Sequence, residues 1–415
     1  MAISSGYKQT DIGIVPDDWD VVSIRHIATI KTGPFGTLLK ASEYSQSGVP
    51  VISVGEIRQG FLRISDSTPR VSESVTKRLP QYVLRTGDIV FGRKGGVDRS
   101  APVTQEHDGW FLGSDGIVIR AQAKYHCEYL TFQFLTQRVR NWLLANSTGT
   151  TMPSLSQGVL GGVQIAVPPL MVEQRAIAEA LSDADALIES LEQLLTKKRQ
   201  IKQGAMQDLL TGKKRLPGFN GKWELKRLSD LATIQRGASP RPIDSPIWFD
   251  DSSTVGWVRI SDVTSSGMFL SETTQRLSPQ GIHNSRPVSE GSLIMSICAT
   301  VGRPVITQID VCIHDGFVVF DNLQVAREFL YYILKLIEDD WSRHGQTGSQ
   351  MNLNTGLINR TEVSVPSIVE EQIAIAAVLS DVDAEISALE TKLAKARQLK
   401  QGMMQELLTG RIRLV

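Results

Sequence analysis

The sequence predicts a mixed α/β (α+β) protein, in which two similar domains are separated by two long antiparallel coiled-coil helices with an internal pseudo-two-fold repeat. Two observations predict this fold. One passage occurs twice: residues 167–216 and 365–414 are identical at 30 of 50 positions, with a constant offset of 198 (365 − 167). Each copy also follows a stretch in which short apolar runs alternate with turn residues. We therefore predict a tandem duplication.

The repeat sets the predicted domain boundaries. They are a first domain at 1–168, a first helix at 169–212, a second domain at 213–366 and a second helix at 367–415. The helices are nearly identical, whereas the two domains have diverged. Segments that stay alike are interpreted as serving the same role twice, and segments that diverge as sharing a fold while contacting different things.

Short runs rich in valine and isoleucine predict the strands of each domain. They are VPVISVGEI, YVLRTGDIVF and GIVIRA in the first domain, and GWVRISDV, GSLIMSIC and GFVVFD in the second. One apolar helix is predicted after each set, at 127–145 and 325–341, followed by a polar loop. Aromatic residues in these segments have core spacing, which favours packing over base stacking.

The repeated segments predict long helices. Apolar residues alternate at steps of three and four, which is the spacing of a coiled-coil seam; they are Leu181, Ala184, Ile188, Leu191 and Leu195, and Leu379, Val382, Ile386, Leu389, Leu393 and Ala396. A proline lies just ahead of the acidic first turn of each helix, and Gly212 and Gly410 suit the left-handed position after the helix. About 38 residues give a rod of roughly 55 Å. A core helix of its own domain is the alternative, and this length fits it less well.

Each predicted helix also carries a basic face. It comprises Lys197, Lys198, Arg199 and Lys202 in the first copy, and Lys395, Arg397 and Lys400 in the second. A solvated surface and a surface that docks a partner both remain open.

Composition excludes several classes of protein. Lysine plus arginine equals aspartate plus glutamate, 44 each, so a nucleic-acid binder would have to make its positive surface locally. No apolar run approaches the roughly 20 residues that cross a bilayer, and the first residues lack the pattern of a signal peptide. Three cysteines without a CxxC pair fit a reducing compartment. We predict a cytoplasmic protein with no membrane partner.

Catalytic and metal-binding motifs are missing from the sequence. It contains no P-loop, no GxGxxG after a strand, no HExxH and no GxSxG. Glu224 and Lys226 have the ExK spacing of many nucleases, yet no aspartate lies at a suitable distance upstream. Asp315, which follows His314, is interpreted as a turn residue. We predict no catalytic residue and no metal ligand, and favour a binding protein over an enzyme.

Loop arginines and lysines near glycine and proline are the candidates for contacts with DNA, because such side chains hold phosphates or read guanine, while glutamine reads adenine. In the first domain they are Lys31, Lys40, Arg78, Arg93, Lys94 and Arg99. In the second domain they are Arg236, Arg241, Arg259, Arg303, Arg343 and Gln346. As two sets in domains that share a fold but not their loops, they predict two different recognition surfaces.

The chain resembles a known family, the specificity subunits of type I restriction–modification enzymes. The resemblance is carried by VPPLMVEQ and VPSIVEEQ, by KQGAMQDLLTG and KQGMMQELLTG, by Trp19 and Trp223 ahead of ATI, and by GDIVFGR at 87–93. It covers nearly the whole chain. The second domain has MSICATVG where the first has FGRKGG, so a role for Arg93 and Lys94 does not transfer.

The resemblance implies two target recognition domains, each reading one half of a bipartite double-stranded DNA sequence, and paired helices that set the unread gap. The first LLTGKKRL runs directly into PGFNGKW, and the nearly circular layout of the family implies that the second copy, if continued, would meet the amino-terminal PDDW segment. The helices would dock two modification (methyltransferase) subunits and, through them, restriction subunits. No cofactor is expected on this chain, because S-adenosylmethionine, ATP and Mg²⁺ would be bound by those partners. Candidates for docking are Glu173, Gln174, Lys202, Gln203, Glu371, Gln372, Lys400 and Gln401.

Two alternatives remain open from the residues. One is an enzyme, a nuclease or methyltransferase that uses the Glu224 region. The other is a coiled-coil adaptor whose variable domains bind proteins.

Overall fold

Two units make up the chain in the computed structural model, which describes residues 5–149, 151–344 (342–344 by backbone alone) and 353–414. The first unit comprises Met1–Glu192 with Lys392–Val415, and the second comprises Gln193–Thr391. Each unit therefore contains one domain and one part of each long helix.

The first unit is built on two four-stranded sheets. Its strands are β1 (Tyr7–Thr10), β2 (Gly13–Pro16), β3 (Asp20–Ser23), β4 (Ala28–Thr32), β5 (Tyr44–Ser45), β6 (Val49–Ile52), β7 (Arg70–Val71), β8 (Asp88–Gly92), β9 (Ser100–Pro102), β10 (Phe111–Leu112), β11 (Gly116–Ala121) and β12 (Gln164–Val167). Its helices are α1 (Ile24–Ile27), α2 (Glu73–Arg78), α3 (Cys127–Leu135), α4 (Gln137–Asn146), α5 (Gln157–Gly162) and the beginning of α6 (Met171–Leu209). The sheets have the orders β4-β11-β8-β9 and β10-β6-β7-β5.

The second unit repeats this plan. Its strands are β13 (Trp223–Arg227), β14 (Thr233–Arg236), β15 (Gly256–Val258), β16 (Phe269–Leu270), β17 (Gln275–Arg276), β18 (Arg286–Val288), β19 (Leu293–Ser296), β20 (Pro304–Thr307), β21 (Val311–Ile313), β22 (Phe317–Asp321) and β23 (Glu362–Pro366). Its helices are α7 (Leu228–Leu231), α8 (Ile260–Ser265), α9 (Pro279–His283), α10 (Arg327–Leu336), α11 (Glu338–His344), α12 (Thr355–Arg360) and the beginning of α13 (Val369–Leu407). The sheets have the orders β14-β22-β19-β20-β16 and β17-β15-β21-β18.

Strand pairings show that the two domains share one topology. The antiparallel order β4-β11-β8-β9 corresponds to β14-β22-β19-β20. The parallel pair β6–β10 corresponds to β15–β21, and the antiparallel pair β3–β12 corresponds to β13–β23. The six predicted strand segments each contain a strand, and the two similar mixed α/β domains are confirmed.

The prediction of one continuous apolar helix at 127–145 is wrong, because the structure divides this segment into α3 and α4. Thr136 leaves the helical conformation (ψ 142°), and its hydroxyl accepts a hydrogen bond from the amide of Val139. A hydroxyl that caps a new helix favours a break over continuation. The helix predicted at 325–341 is likewise divided, with Ile337 between α10 and α11.

Helices α6 and α13 contain 39 residues each, about 58 Å at 1.5 Å per residue. In the first unit Arg397 pairs with Glu192 (2.6 Å) and Lys400 with Asp185. In the second unit Arg199 pairs with Glu390 (2.7 Å), Lys202 with Asp383 (2.5 Å) and Lys198 with Glu385. Residue numbers rise on one helix as they fall on the other, so within each unit the helices are antiparallel, as predicted.

These pairs explain why one passage is used twice. Each copy carries its acids in the first half and its cations in the second half. An antiparallel arrangement therefore sets the acidic half of one copy against the basic half of the other. Five of the seven cations of the predicted basic face consequently pair with acids of the partner helix, while Arg199 and Arg397 stay more than half exposed.

The long helices end at Leu209 and Leu407, and in each case the predicted left-handed glycine follows three residues later. Gly212 and Gly410 each have φ +71°. Gly212 packs on the ring of Trp223, and Gly410 packs on Pro16 and Trp19. The segment after α13 therefore meets the amino-terminal PDDW segment, in keeping with the layout that the resemblance implies. Within the described part of the chain, no helix is long and apolar enough to cross a bilayer.

Candidate nucleic-acid interface

In the first domain two of the candidate cations, Arg93 and Lys94, contact the turn that precedes β11. The loop after β4 approaches this turn so closely that a Cβ on Gly33 would lie 1.8 Å from the carbonyl oxygen of Gly113. Arg93 donates hydrogen bonds to the carbonyls of Ser114 (3.3 Å, from Nη1) and Asp115 (2.8 Å, from the backbone amide). The ammonium of Lys94 lies 3.9 Å from the Asp115 carboxylate.

The remaining first-domain candidates are not all on loops as predicted, because Lys31 lies in β4 and Arg78 ends α2. Lys31 lies over the ring of Tyr82, at 5.7 Å from its centroid. Arg78 pairs with Glu43 (2.5 Å). Lys40 and Arg99 are exposed. The structure therefore brings Arg93 and Lys94 together and places the others on surface segments of the same domain.

In the second domain an equivalent turn carries Asp315. A Cβ on Gly237 would lie 2.1 Å from the carbonyl oxygen of His314, so the same close approach recurs. Arg236 donates to the Asp315 carbonyl (2.6 Å), and Arg241 donates to its carboxylate (3.3 Å). The hydroxyl of Ser239 also donates to this carboxylate (2.7 Å) and is the main cause that lowers the pKa of Asp315. Asp315 is thus a turn residue, as interpreted from the sequence.

His314 is held in this turn as a neutral ring. It lies between Trp257 and Phe317, with ring centroids at 5.7 and 4.8 Å. Its Nδ1 accepts a hydrogen bond from the amide of Gly316 (2.9 Å), so Nε2 carries the proton. Burial lowers the pKa of His314 and the positive charge of Arg259 acts in the same direction, while Asp315 opposes them.

Replacing His314 by glutamine should reduce the pH dependence of stability. The unfolded histidine titrates near 6.5, whereas the folded one resists protonation, so the unfolded state binds more protons below that pH. The wild-type protein should therefore lose unfolding free energy as the pH falls from 7.5 to 5, and H314Q should lose less. Urea unfolding at the two pH values measures the difference. The exposed His283 gives the control, H283Q, which should keep the wild-type dependence; an unchanged dependence in H314Q would contradict the assignment.

Two of the other second-domain candidates contact residues other than Asp315. Arg259 donates to the side-chain oxygen of Gln275 (2.6 Å). Arg303 is half-buried near Tyr331: burial raises the pKa of the Tyr331 hydroxyl, and the positive charge of Arg303 opposes this. The side chain of Arg343 and all of Gln346 lie outside the described residues.

Sequence reasoning missed Arg286, which belongs to the same surface. Its Nε donates to the carbonyl of Arg236 (2.7 Å), and its Nη1 donates to the side-chain oxygen of Gln235 (2.6 Å). Arg286 precedes a proline in NSRPV, which is the kind of neighbour that marked the other candidates, but no glycine lies beside it. Only the fold brings β18 next to the end of β14.

Four of the eight docking candidates are buried. Glu173, Gln174, Glu371 and Gln372 are at most 3 % exposed. Gln174 accepts from the amide of His126 (2.8 Å) and donates to the carbonyl of Pro168 (3.0 Å). Gln372 makes the corresponding bonds in the second unit. These glutamines join the start of the α3 or α10 helix to the start of the long helix.

The two buried glutamates bind arginines from the opposite tail. Glu371 accepts two hydrogen bonds from Arg215 (2.6 and 2.7 Å), and Glu173 binds Arg413. The prediction that these four side chains face a partner is therefore corrected: they hold the chain's own segments together.

The other four docking candidates differ from one another. Lys202 and Lys400 pair with aspartates of the partner helix and lie over the rings of Tyr332 and Phe132. Gln203 and Gln401 are exposed. Gln401 lines a cavity of about 430 Å³ in the first unit, together with Arg138 and Arg411.

Catalytic and metal chemistry find little support in the described residues. No group of three or more histidine, cysteine, aspartate or glutamate side chains there could hold a metal ion. Glu224 and Lys226 pair with each other (3.0 Å) on β13. Burial raises the pKa of Cys312 to about 11 and that of Cys127 to about 12, which makes both poor nucleophiles.

A family model described as the type I restriction modification DNA specificity domain matches residues 16–203 and 220–398. The chain is 28% identical over 228 residues to the type I restriction enzyme MjaVIII specificity subunit of Methanocaldococcus jannaschii, a match that spans 52% of this chain and half of that relative. It is 23% identical to the putative MjaX specificity subunit of the same organism, over 98% of this chain and 97% of that one.

Solved structures share the fold. A type I restriction–modification S subunit from M. genitalium has a TM-score of 0.62 at 14% identity, with 98% of each chain covered. A chain from a study of complex assembly and conformational transition of the type I system has a TM-score of 0.56 at 19% identity, covering 96% of this chain and 99% of that one. Because the family model occurs twice and covers most of the sequence, the chain belongs to the specificity subunits of type I restriction–modification systems, which are non-catalytic.

Proposed function

We propose that this chain gives a type I restriction–modification complex its DNA sequence specificity by reading a bipartite double-stranded target, one half with each domain. One observation carries the proposal. Asp115 and Asp315 occupy equivalent turns, yet the cations around them differ: Arg93 and Lys94 come from the segment after β8, whereas Arg236 and Arg241 come from the segment at and after β14. Equivalent surfaces with different side chains suit two half-sites of different sequence.

The proposed contacts with DNA are the loop cations together with Arg286. Arginine that is already oriented by a carbonyl or carboxylate loses little side-chain entropy on binding a base edge or phosphate. Arg93, Arg236 and Arg286 are oriented in this way. Near-neutral overall charge is compatible with this role if partner subunits supply further phosphate contacts.

We propose the long helices as the spacer between the half-sites and as the dock for two modification subunits, which in turn bind the restriction subunits. Their length of about 58 Å exceeds one turn of duplex, about 34–36 Å, so a spacer of this kind could accommodate an unread gap. The exposed Gln203 and Gln401 are the docking residues retained from the sequence. S-adenosylmethionine, ATP and Mg²⁺ would be bound by the partners, and the complex would act on DNA in the cytoplasm.

Domain exchange tests the proposal. Residues 1–166 are replaced by the equivalent domain of a relative with a different target, the chimera is co-expressed with its modification subunit, and genomic adenine methylation is mapped. We expect one half of the methylated sequence to change and the other to stay. The matched control exchanges residues 217–364 and should change the other half. A change in both halves, or methylation without sequence preference, would refute the two-domain assignment.

A further inference from the structure

The loop after β4 presents an apolar tip on the first domain. Its two ends are anchored, because Gly33 and Pro34 are buried and Leu39 packs against Val51 and Val71. Between these anchors Phe35 is 61% exposed and Leu38 is 43% exposed. A fixed base therefore holds an aromatic ring and a leucine out toward solvent.

Cations surround this tip. The guanidinium of Arg93 lies 5.6 Å from the centre of the Phe35 ring. Arg78 donates to the carbonyl of Leu38 (3.3 Å). Lys40 is exposed two residues after Leu38, and Lys94 is exposed one residue after Arg93. An apolar centre with a cationic rim matches a DNA groove, in which cations meet phosphates while apolar side chains contact base edges or enter a base step.

A second exposed phenylalanine of the same domain has the opposite surroundings. Phe61 is 56% exposed and lines a cavity of about 780 Å³ together with Glu128, Asp185 and Glu189. Glu192 and Lys400, the latter paired with Asp185, also line this cavity. Carboxylates therefore outnumber cations there, and the cavity would repel phosphates. Phe61 is therefore a matched control of the same residue type, exposure and domain.

We propose that Phe35 enters a groove of the DNA half-site bound by the first domain and packs against the bases of one step, partly unstacking it. This inference rests on the proposed function. Arg93 holds the ring in place and neutralises the adjacent phosphates. Phe35 thereby contributes an apolar contact that is independent of salt, whereas the neighbouring lysines contribute contacts that weaken with salt.

The test titrates the complex with its modification subunits into a duplex that contains the target found by methylation mapping, at several salt concentrations. F35A should weaken binding about tenfold, as alanine substitution of one base-stacking aromatic side chain does. The slope of log Kd against log salt should not change. K94A should reduce that slope by about 1. F61A should bind like the wild type, and F35L should recover part of the affinity because it restores apolar contact.

A second measurement reports the base step itself. 2-Aminopurine is placed in turn at each adenine of the first half-site except the one that is methylated, because a methyltransferase flips its target base out of the stack. It should brighten at one of these positions with the wild-type complex and stay dark with F35A. Equal affinities for F35A and F61A, a changed salt slope in F35A, or no brightening at any position would overturn the proposal. Failure of the wild-type complex to prefer its target would instead overturn the proposed function.

Discussion

Replacing Arg413 by alanine should destabilise the first unit by about 3 kcal/mol, because it leaves a buried carboxylate without its cation. Glu173 has no exposed surface, and Arg413 binds it while also donating to Asp18 (3.0 Å) and lying 5.7 Å from the centre of the Trp19 ring. These two carboxylates raise the pKa of Arg413. The Arg413 side chain is 34% exposed, so water reaches the pair, and the low end of the usual 3–5 kcal/mol range applies.

Hydrogen exchange measured by mass spectrometry resolves the two units. R413A should lose protection in the first unit alone. The duplicated chain supplies the matched variant: Arg215 binds Glu371 and lies 5.9 Å from the centre of the Trp223 ring, so R215A should lose protection in the second unit alone. R411A is the exposed control, because Arg411 pairs only loosely with Glu406 (3.5 Å).

A double variant separates two effects of R413A: the loss of the ion pair with Glu173, and the burial of an unpaired Glu173 carboxylate. In R413A/E173Q no carboxylate remains to be buried, so the protein should regain part of the stability that R413A loses. If R413A were as stable as R411A, the pair with Glu173 would contribute nothing. If the double variant were the less stable one, the loss would come from packing on Trp19 rather than from charge.

The same pairs show where sequence reasoning stops. Glu173 and Glu371 were predicted to dock a partner, and their sequence position showed only that they lie in the acidic first turn of a helix. Each is bound by an arginine from the far end of the other repeat: Arg413 lies 240 residues from Glu173, and Arg215 lies 156 residues from Glu371. The repeat predicts which segments correspond, but it does not predict which side chains become buried when the end of one copy packs against the start of the other.

Local patterns were sufficient for the architecture. The 3-4 spacing predicted helices α6 and α13, and the short valine- and isoleucine-rich runs predicted strands such as β8, β11 and β22. The break at Thr136 was missed, because a hydroxyl within an apolar run can either continue a helix or cap the next one. Arg286 was missed because its neighbours come from β14, about 50 residues away.

Substituting Gly33 by alanine should disable the first recognition surface without affecting the second. A Cβ at this position would meet the carbonyl oxygen of Gly113 at 1.8 Å, a backbone atom that cannot rotate away. The loop and the turn that carries Asp115 must therefore separate, at a cost of about 2–3 kcal/mol, the upper part of the range for overpacking. Arg93 and Lys94 then lose their common geometry.

Gly237→Ala is the equivalent change in the second domain, since its Cβ would lie 2.1 Å from the carbonyl oxygen of His314. Under the proposed function each variant should keep specificity for one half-site and lose discrimination in the other, by about 1–3 kcal/mol for each arginine–base interaction that the displaced turn no longer makes. Binding to duplexes altered in the first half, the second half or both measures this directly.

Two further glycines serve as controls. A Cβ on Gly55 in the first domain or on Gly267 in the second would meet no atom within 4 Å. G55A and G267A should therefore match the wild type in both stability and half-site discrimination. Should G33A lower stability yet leave discrimination in the first half intact, the turn would be structural and the reading surface would lie elsewhere on the domain. Because the close approach recurs in both domains while the side chains around it differ, loss confined to opposite halves in G33A and G237A would tie sequence specificity to these two turns.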